Sequence, residues 1–339
     1  MLEPVVPDET GGGSGERRLG AVQQETRTGI SIPNPAESSP SFSVGVVSYR
    51  TGAILPDCLA ALIAAPAVRE IILIDNGNPP AARALLDRLA RSEPRLTVIR
   101  PGRNLGFAAA CNRIATQARG QLLAFVNPDL IVPPTTFVGL RARLEADEKV
   151  WLCGGHLLNL DGSEQRGGRR EVLTPWRALV ELLRLDRLAP NHPHFRRFHL
   201  VDPVPPEGTF AVPVISGALM AIRRDRFLAL GGMDEGMFLH LEDIDLCLRV
   251  LEQGGQVLYC GNLPVYHQRS SSDVARWFVE WHKTRSSIRY FRKHFTSTYP
   301  GWSLELIALL LGLRFFLVAL RAGPADLWRW VRRWPEARS

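Results

Sequence analysis

The stretch Glu70-Ile71-Ile72-Leu73-Ile74-Asp75-Asn76-Gly77-Asn78-Pro79-Pro80 decides how the chain is read. Its aliphatic run, rich in β-branched side chains, suits a strand buried on both faces. Asp-Asn-Gly-Asn follows as a polar loop. Pro79-Pro80 then opens a helix that continues to about Ala90, since proline fits the first turn of a helix and not its interior. Upstream, Ser43-Val44-Gly45-Val46-Val47-Ser48-Tyr49 reads as a second buried strand, followed by helical spacing over Ala53–Ala64. Downstream the unit repeats: a strand at Leu96–Ile99, a helix over Phe107–Ala118, and a strand over Gln121–Val126 ending at Asn127-Pro128-Asp129. Repeated β-α units with apolar strands predict an α/β fold whose mainly parallel sheet is covered by helices on both faces. In such folds ligands bind at polar loops beyond the carboxyl ends of the strands.

The rhythm breaks over 160–210, where Pro, His and Arg crowd Pro190–Pro206. This segment is either an insertion facing an acceptor or a surface excursion. Beyond it, Pro213–Arg223 reads as a strand containing Ser216-Gly217-Ala218. His240–Gln253 reads as a helix carrying Glu242, Asp243 and Asp245, stopped by Gly254-Gly255. A strand from Gln256 to Cys260 leads through Val265 to His267, and Val274–Lys293 forms a long helix. Residues 1–40, rich in Gly, Pro, Ser and charge, are expected to be a disordered leader without the apolar core of a secretory signal.

With 339 residues, 45% of them hydrophobic, the chain can bury one large core or two closely joined lobes. Its 22% charged content argues against both a disordered polymer and a multispanning membrane protein. The five cysteines lack CxxC spacing and read as buried reduced thiols, not as a zinc site. A net charge of +7 suits a polyanion: nucleic acid, anionic lipid or a nucleotide diphosphate. The basic excess is strong in 301–339, beside the apolar stretch Leu304–Leu320. That stretch is at the short limit for crossing a bilayer. Arg314 at its middle would cost roughly 2.5–3.5 kcal/mol at the bilayer centre. Trp328, Trp330 and Trp334 alternate with arginines, as in a segment lying among lipid headgroups. The expectation is peripheral membrane contact through 301–339, with a spanning helix or a helix packed on protein as alternatives.

Several residues could carry chemistry. Asp75 either closes an Asx turn or receives a ribose or base N–H. Asp129, held outside the sheet by the rigid Asn127-Pro128, is a hard oxygen donor suited to Mg²⁺ or Mn²⁺, or simply a turn residue. Glu242 and Asp245 share one helical face, with Asp243 turned by about 100° from Glu242; acidic residues also stabilise a helix N-terminus with no catalytic duty. His267 is an isolated imidazole that could join Asp129. Asn104-Leu105-Gly106-Phe107 matches neither a Walker A loop nor a dinucleotide fingerprint.

In combination, the order of motifs resembles the family 2 inverting glycosyltransferases, in particular their bacterial rhamnosyltransferase-like branch. The matching blocks are Val46-Val47-Ser48-Tyr49, Ile74-Asp75-Asn76-Gly77, Arg103-Asn104-Leu105-Gly106-Phe107 with Asn112, and Asn127-Pro128-Asp129. They continue with Ser216-Gly217-Ala218, Gly232-Met233-Asp234-Glu235, Glu242-Asp243-Ile244-Asp245 and His267, and the resemblance runs from about 43 to 295. It implies a GT-A type nucleotide-sugar-binding domain over 41–270, including the 160–210 insertion, then a helical extension over 271–300 and an amphipathic basic tail over 301–339.

The resemblance also implies roles. Tyr49 and Asp75 lie around the nucleobase, Asn104 and Gly106 shape the nucleotide pocket, and Asp129 and His267 hold Mg²⁺ or Mn²⁺. Asn127 replaces the first acid of the family's Asp-x-Asp motif. Asp243 is the catalytic base, supported by Glu242, Asp245, Ser216 and Gly217. The expected donor is a nucleotide-sugar, dTDP-L-rhamnose first and other UDP-, GDP- or dTDP-sugars next. The expected acceptor is a lipid-linked or cell-surface glycan, reached from the cytoplasmic side of the plasma membrane, with no nucleic acid partner. A nucleotidyltransferase and a non-catalytic membrane or nucleic-acid binding protein are the alternatives.

Overall fold

The computed structural model describes residues 41–187, 192–195, 198–200, 207–268 and 274–333, with side chains in the last helix described as far as Arg321. The 1–40 leader, parts of the 160–210 segment and the last six residues lie outside them. In chain order, β1 (Phe42–Ser48), α1 (Leu55–Ile63), β2 (Val68–Asp75), α2 (Pro80–Ser92), β3 (Leu96–Ile99), α3 (Phe107–Gln117) and β4 (Leu122–Val126) form successive β-α-β crossovers. β1 pairs in parallel with β2 on one side and β4 on the other, and β3 pairs in parallel with β2. The sheet therefore changes its direction of growth between β3 and β4. A crevice opens at such a switch point, outside the carboxyl ends of the strands.

Alternate residues of the central strands serve two cores, as the period of a strand requires. Ile72, Ile74, Leu123 and Phe125 pack with α3 on one face. Ile71, Leu73, Val46 and Ala124 pack with α1 on the other.

The chain continues through β5 (Leu130–Ile131), α4 (Pro134–Ala146), β6 (Val150–Leu158), β7 (Arg169–Arg170), α5 (Pro175–Leu183), β8 (Thr209–Ala211), β9 (Val214–Ile215), β10 (Leu219–Arg223) and α6 (Arg224–Ala229). It ends with α7 (Glu242–Glu252), β11 (Gln256–His267), α8 (Arg276–His294) and α9 (Gly301–Arg333). The main sheet runs β3-β2-β1-β4-β10-β6-β11-β5, with β8 beside β11. β10 is antiparallel to both β4 and β6, whereas β6 and β11 are parallel. The architecture is thus a mixed sheet flanked by helices with a C-terminal helical extension, and its parallel pairing is concentrated in the first half of the chain.

Three local departures from the sequence reading have physical causes. The strand expected over Pro213–Arg223 is split into β9 and β10. The N–H of Ser216 donates to the Gly168 carbonyl and that of Gly217 to a carboxylate, so neither joins a ladder. β11 runs unbroken to His267 but shifts register between Cys260 and Pro264, where proline offers no N–H. α7 starts at Glu242, later than expected, because His240 and Leu241 take left-handed φ of 65° and 71°. All five cysteines are free and buried.

α9 lies along α8 and has two apolar faces. Leu304 and Ile307 are buried in the core, and Leu311 packs against it. At about 100° per residue, Trp302, Leu306, Leu309, Leu313, Phe316 and Leu320 fall on the opposite side, where they are exposed. The two charges within the apolar stretch are both turned to α8. Arg314 Nη1 lies 2.7 Å from Glu280 Oε2, and Glu305 pairs with Arg292 at 2.9 Å. Gly301–Arg321 is long and apolar enough to cross a membrane, with a mean hydropathy of 2.2 over its most apolar window.

Candidate active site

Two clefts open on the carboxyl side of β1, β2 and β4. The first, of about 740 Å³, is walled by Tyr49, Asp75, Gly77, Arg83, Arg100 and Asn104 among others. Asp75 ends β2 opposite Ser48 of β1. Its Oδ1 accepts N–H bonds from Gly77 (3.2 Å), the Asn78 backbone (2.8 Å) and the Asn78 side chain (3.0 Å). Its Oδ2 faces Arg100 Nε at 3.1 Å and Arg83 Nε at 3.6 Å. The carboxylate therefore shapes an Asx turn with one oxygen and presents the other to two arginines at the cleft wall.

Asn76 and Asn78, not singled out from the sequence, brace this loop. Asn78 bonds Ser48 and Thr51, and Asn76 donates to the Gly106 carbonyl. Asn104 lines the cleft and accepts the Gly106 N–H at 2.9 Å. Gly106 itself is not among the lining residues; it sits against Phe238. Its φ is +80°, and a Cβ there would lie 2.5 Å from the Phe238 carbonyl oxygen, so only glycine lets the two loops meet.

Asp129 and His267, 138 residues apart, are brought together where the end of β11 pairs with β5. His267 Nε2 lies 3.1 Å from Asp129 Oδ1, and both side chains are about nine-tenths buried. On the other side of the ring, Nδ1 is 2.6 Å from Gln165 Oε1. Gln165 Nε2 donates to the backbone carbonyl of His267 and to the side-chain Oδ1 of Asn159, which assigns Oε1 as the acceptor of the Nδ1 proton. His267 Nε2 then faces a carboxylate oxygen, and the pair offers one nitrogen and one oxygen donor, a set that fits Mn²⁺ or Mg²⁺. Among the described residues no group of three or more His, Cys, Asp or Glu side chains converges on a common point; the remaining ligands would come from the bound substrate and water. Gln165→Leu removes the acceptor that fixes this tautomer and should weaken Mn²⁺ binding about 10–100-fold. Titration of Mn²⁺ in the presence of UDP checks this; unchanged affinity would exclude the orienting role.

The second cleft, of about 580 Å³, is lined by Asn127, Ser216, Gly217, Glu242 and Asp243, with α5, α8 and α9 closing its far side. Asn127 thus belongs to this cleft and not to the first. Its N–H donates to the Ala218 carbonyl at 2.8 Å, and the adjoining Gly217 N–H donates to Asp243 Oδ2 at 3.0 Å. The Asp129 loop and the Asp243 carboxylate are therefore linked through one short backbone segment. A Cβ at Gly217 would lie 3.1 Å from the Asp243 Cβ, which explains a glycine there. Oδ2 also accepts from Arg170 of β7, while Oδ1 accepts the Ile244 N–H at 2.9 Å. Burial alone would raise the Asp243 carboxyl, but the Arg170 charge and hydrogen bond and the two backbone N–H groups hold it below the usual range. Glu242 behaves oppositely. Burial and then the neighbouring Asp243 charge push it well above the carboxylate range, and its Oε2 has no hydrogen-bond partner.

Asp245 points away from both clefts. It is fully buried and receives Lys293 Nζ at 2.6 Å, His294 Nε2 at 2.8 Å and the Arg249 guanidinium at 2.7 Å. It ties α7 to the end of α8. Asn112 and the Gly232–Glu235 block also prove to be scaffold: Asn112 brackets the Met233 backbone with bonds of 2.8 and 2.9 Å, and Asp234 pairs with Arg289 and Lys293. The sequence reading missed Arg170, Gln165 and the Arg83–Arg100 pair. Arg170 and Gln165 come from the 160–210 segment, whose arginines and turns carry no periodic signal.

The fold matches GT-A-like transferases. GalNAc-T7, solved with UDP, GalNAc and Mn²⁺, superposes with a TM-score of 0.56 at 19% identity, covering 76% of this chain and 48% of that one. Residues 43–201 match the family model described as Glycosyl transferase family 2. It is 27% identical to the O-antigen biosynthesis protein RfbC of Myxococcus xanthus, over 70% of this chain and 18% of RfbC. It is 26% identical to the N-acetylglucosaminyl-diphospho-decaprenol L-rhamnosyltransferase of Mycobacterium tuberculosis, over 71% of this chain and 81% of that protein. The chain spans only 18–21% of the length of two of the curated relatives it matches, RfbC among them.

Proposed function

We propose that the protein transfers a sugar from a nucleotide-sugar to an acceptor hydroxyl with inversion, L-rhamnose from dTDP-L-rhamnose being the preferred donor. The observation that carries the reading is the linkage just described: Asp129 and His267 at one end of a short backbone segment, and an ionised, cleft-lining Asp243 at the other. The nucleotide occupies the first cleft, where Tyr49 offers a ring, Asp75 an acceptor oxygen, and Arg83 and Arg100 positive charge. Asp129 and His267 would hold Mg²⁺ or Mn²⁺, which when bound would supply charge stabilisation for the departing nucleoside diphosphate.

The acceptor lies in the second cleft. Asp243 Oδ1, which accepts a single N–H among the described residues, keeps a lone pair for the hydroxyl proton. Arg170 and Gly217 fix Oδ2, so the carboxylate cannot turn away. As the proton leaves, the hydroxyl oxygen attacks the anomeric carbon opposite the diphosphate, which inverts that centre. Likeness to the mycobacterial rhamnosyltransferase favours the rhamnosyl donor and a lipid-linked acceptor. Incubation with dTDP-L-rhamnose, UDP-sugars and GDP-sugars, with lipid-linked and free glycan acceptors, tests the reading. A glycosylated acceptor with release of nucleoside diphosphate supports it, and release of pyrophosphate would replace it with nucleotidyl transfer.

The exposed face of α9 supports peripheral attachment at the inner face of the plasma membrane. Replacing Leu309, Leu313 and Phe316 together by Glu should reduce co-sedimentation with phosphatidylglycerol vesicles at least tenfold. These side chains are outside the core, so the melting temperature should hold. Sedimentation equal to the unaltered protein would reject this attachment.

A further inference from the structure

Glu242 is the acid of the second cleft that proton removal by Asp243 leaves unused. It stands first in α7, lines the cleft and is 6% exposed, yet its Oε2 has no hydrogen-bond partner among the described residues. The cations of the cleft are engaged by other acids. Arg170 of β7 is bound to Asp243, Arg314 of α9 lies 2.7 Å from Glu280, and Arg166 lies 4.0 Å from Glu181. Lys283 of α8 has Glu280 and Glu181 within electrostatic range. His240 lines the same cleft from the loop before α7. Glu242 is thus a buried carboxyl left over after the charges around it are matched.

Two consecutive acids therefore enter one buried site with a single arginine committed to one of them. Ionising both would place like charges side by side out of water. Arg170 and the N–H groups of Gly217 and Ile244 settle the charge on Asp243. The groups facing Glu242 are Asp243 and Asp245 of its own helix, Cys111 of α3 and Arg170, so acids outnumber the one cation. Burial first, and then the Asp243 charge, raise its carboxyl well above the ordinary range. A protonated carboxyl is an O–H donor, whereas ionised Asp243 can only accept. Side by side, the pair suits two oxygens of one sugar ring, one giving a proton and the other receiving a hydrogen bond. A buried donor without a receiver in the protein is costly unless a ligand supplies the acceptor.

We propose that Glu242 carries a proton and donates it, as a hydrogen bond, to an oxygen of the acceptor sugar beside the hydroxyl that Asp243 deprotonates. The proton stays on Glu242 throughout, which makes it a group that selects and orients the acceptor and not a second base. The proposal rests on the reading of the second cleft as the acceptor cleft and names what that cleft recognises: a ring oxygen substituent with a lone pair to offer. The donor exists only while Glu242 is protonated. Acceptor affinity is therefore complete at neutral pH and falls as the pH rises through the ionisation of Glu242.

Infrared difference spectra of the full chain, unaltered minus Glu242→Gln, read the proton without any need for turnover. Expected at neutral pH is the carbonyl stretch of one protonated carboxyl, which disappears only in alkali. Its absence at neutral pH would overturn the proposal. The hydrogen bond is read by NMR titration with the methyl pyranosides of glucose, galactose, mannose and N-acetylglucosamine, in the presence of UDP and Mg²⁺. Glu242→Gln, whose amide also donates, should bind the preferred glycoside within about twofold of the unaltered protein, and Glu242→Met, of similar length without a donor, about threefold to tenfold more weakly. In alkali the unaltered protein should fall to the Glu242→Met affinity while Glu242→Gln holds. Equal weakening in both variants would make Glu242 an ionised acceptor and overturn the proposal. Equal affinity in all three proteins, or binding of none of the glycosides, would remove the sugar oxygen and overturn it as well. A protein that shows the infrared band and the contrast between the variants, but releases no nucleoside diphosphate from any donor, would leave the role of Glu242 standing and sink the transferase reading. Transfer without the band would do the reverse.

Discussion

Asp243→Asn is expected to lower transfer about 10²–10⁴-fold, the range over which a positioned base acts, while leaving the affinity for the nucleotide unchanged. The substitution keeps the shape of the side chain and an oxygen for the Gly217 or Ile244 N–H. It removes the charge that would receive the proton in the proposed reaction. It also leaves the Arg170 guanidinium, 11% exposed as a side chain, without its counter-ion, so a lower melting temperature should accompany the loss of rate. The two effects separate in Arg170→Gln/Asp243→Asn, which removes both charges. Stability should recover in the double variant and activity should not. Transfer by Asp243→Asn at a rate near that of the unaltered protein would eliminate the residue as the base, whatever its stability.

The second large effect concerns folding. Asp245→Ala leaves Lys293, His294 and Arg249 converging on an empty position in the α7–α8 junction. Removing one partner of a buried ionic cluster costs about 3–5 kcal/mol, enough to consume much of the stability of a domain this size. Urea unfolding should show a lower midpoint at an unchanged slope, and a shift below about 1 kcal/mol would show that the cluster is not structurally important. The acid limb offers a second check. Burial opposes ionisation of Asp245, but His294, Arg249 and Lys293 together lower its carboxyl to about 2, against an unfolded value near ~3.9. Because the folded value is the lower one, this contribution is complete above about pH 4 and fades as the pH falls toward 2. Asp245→Asn should flatten that part of the stability profile.

How far the sequence could be read follows from where each contact originates. β1 to β4 announce themselves because Val, Ile and Leu runs buried on both faces are local, and the Asp-Asn-Gly and Asn-Pro-Asp loops must then sit on one edge of the sheet. The meeting of Asp129 with His267 was legible only through the order of family motifs, since nothing local relates residues 138 positions apart. Gln165 and Arg170 were not legible at all. Each reaches its partner in the site across the fold, 102 and 73 residues away along the chain, and each lies in a segment without helical or strand periodicity. Gly106 shows the opposite limit: its backbone requirement was foreseeable from the residue type, but its neighbour, Phe238, was not. Among the acids of α7, spacing put Glu242 and Asp245 on one face. Burial and partners then gave the three carboxylates three different fates.

The outer row of α9 has a consequence for the protein in dilute solution. Trp302, Leu306, Leu309, Leu313, Phe316 and Leu320 recur at alternating intervals of four and three residues, which is the seam spacing of a coiled coil. Two copies can cover these rows by laying them against each other. The purified chain should therefore change its apparent mass with added detergent, sedimenting as a self-associated species without it and as a single chain in micelles.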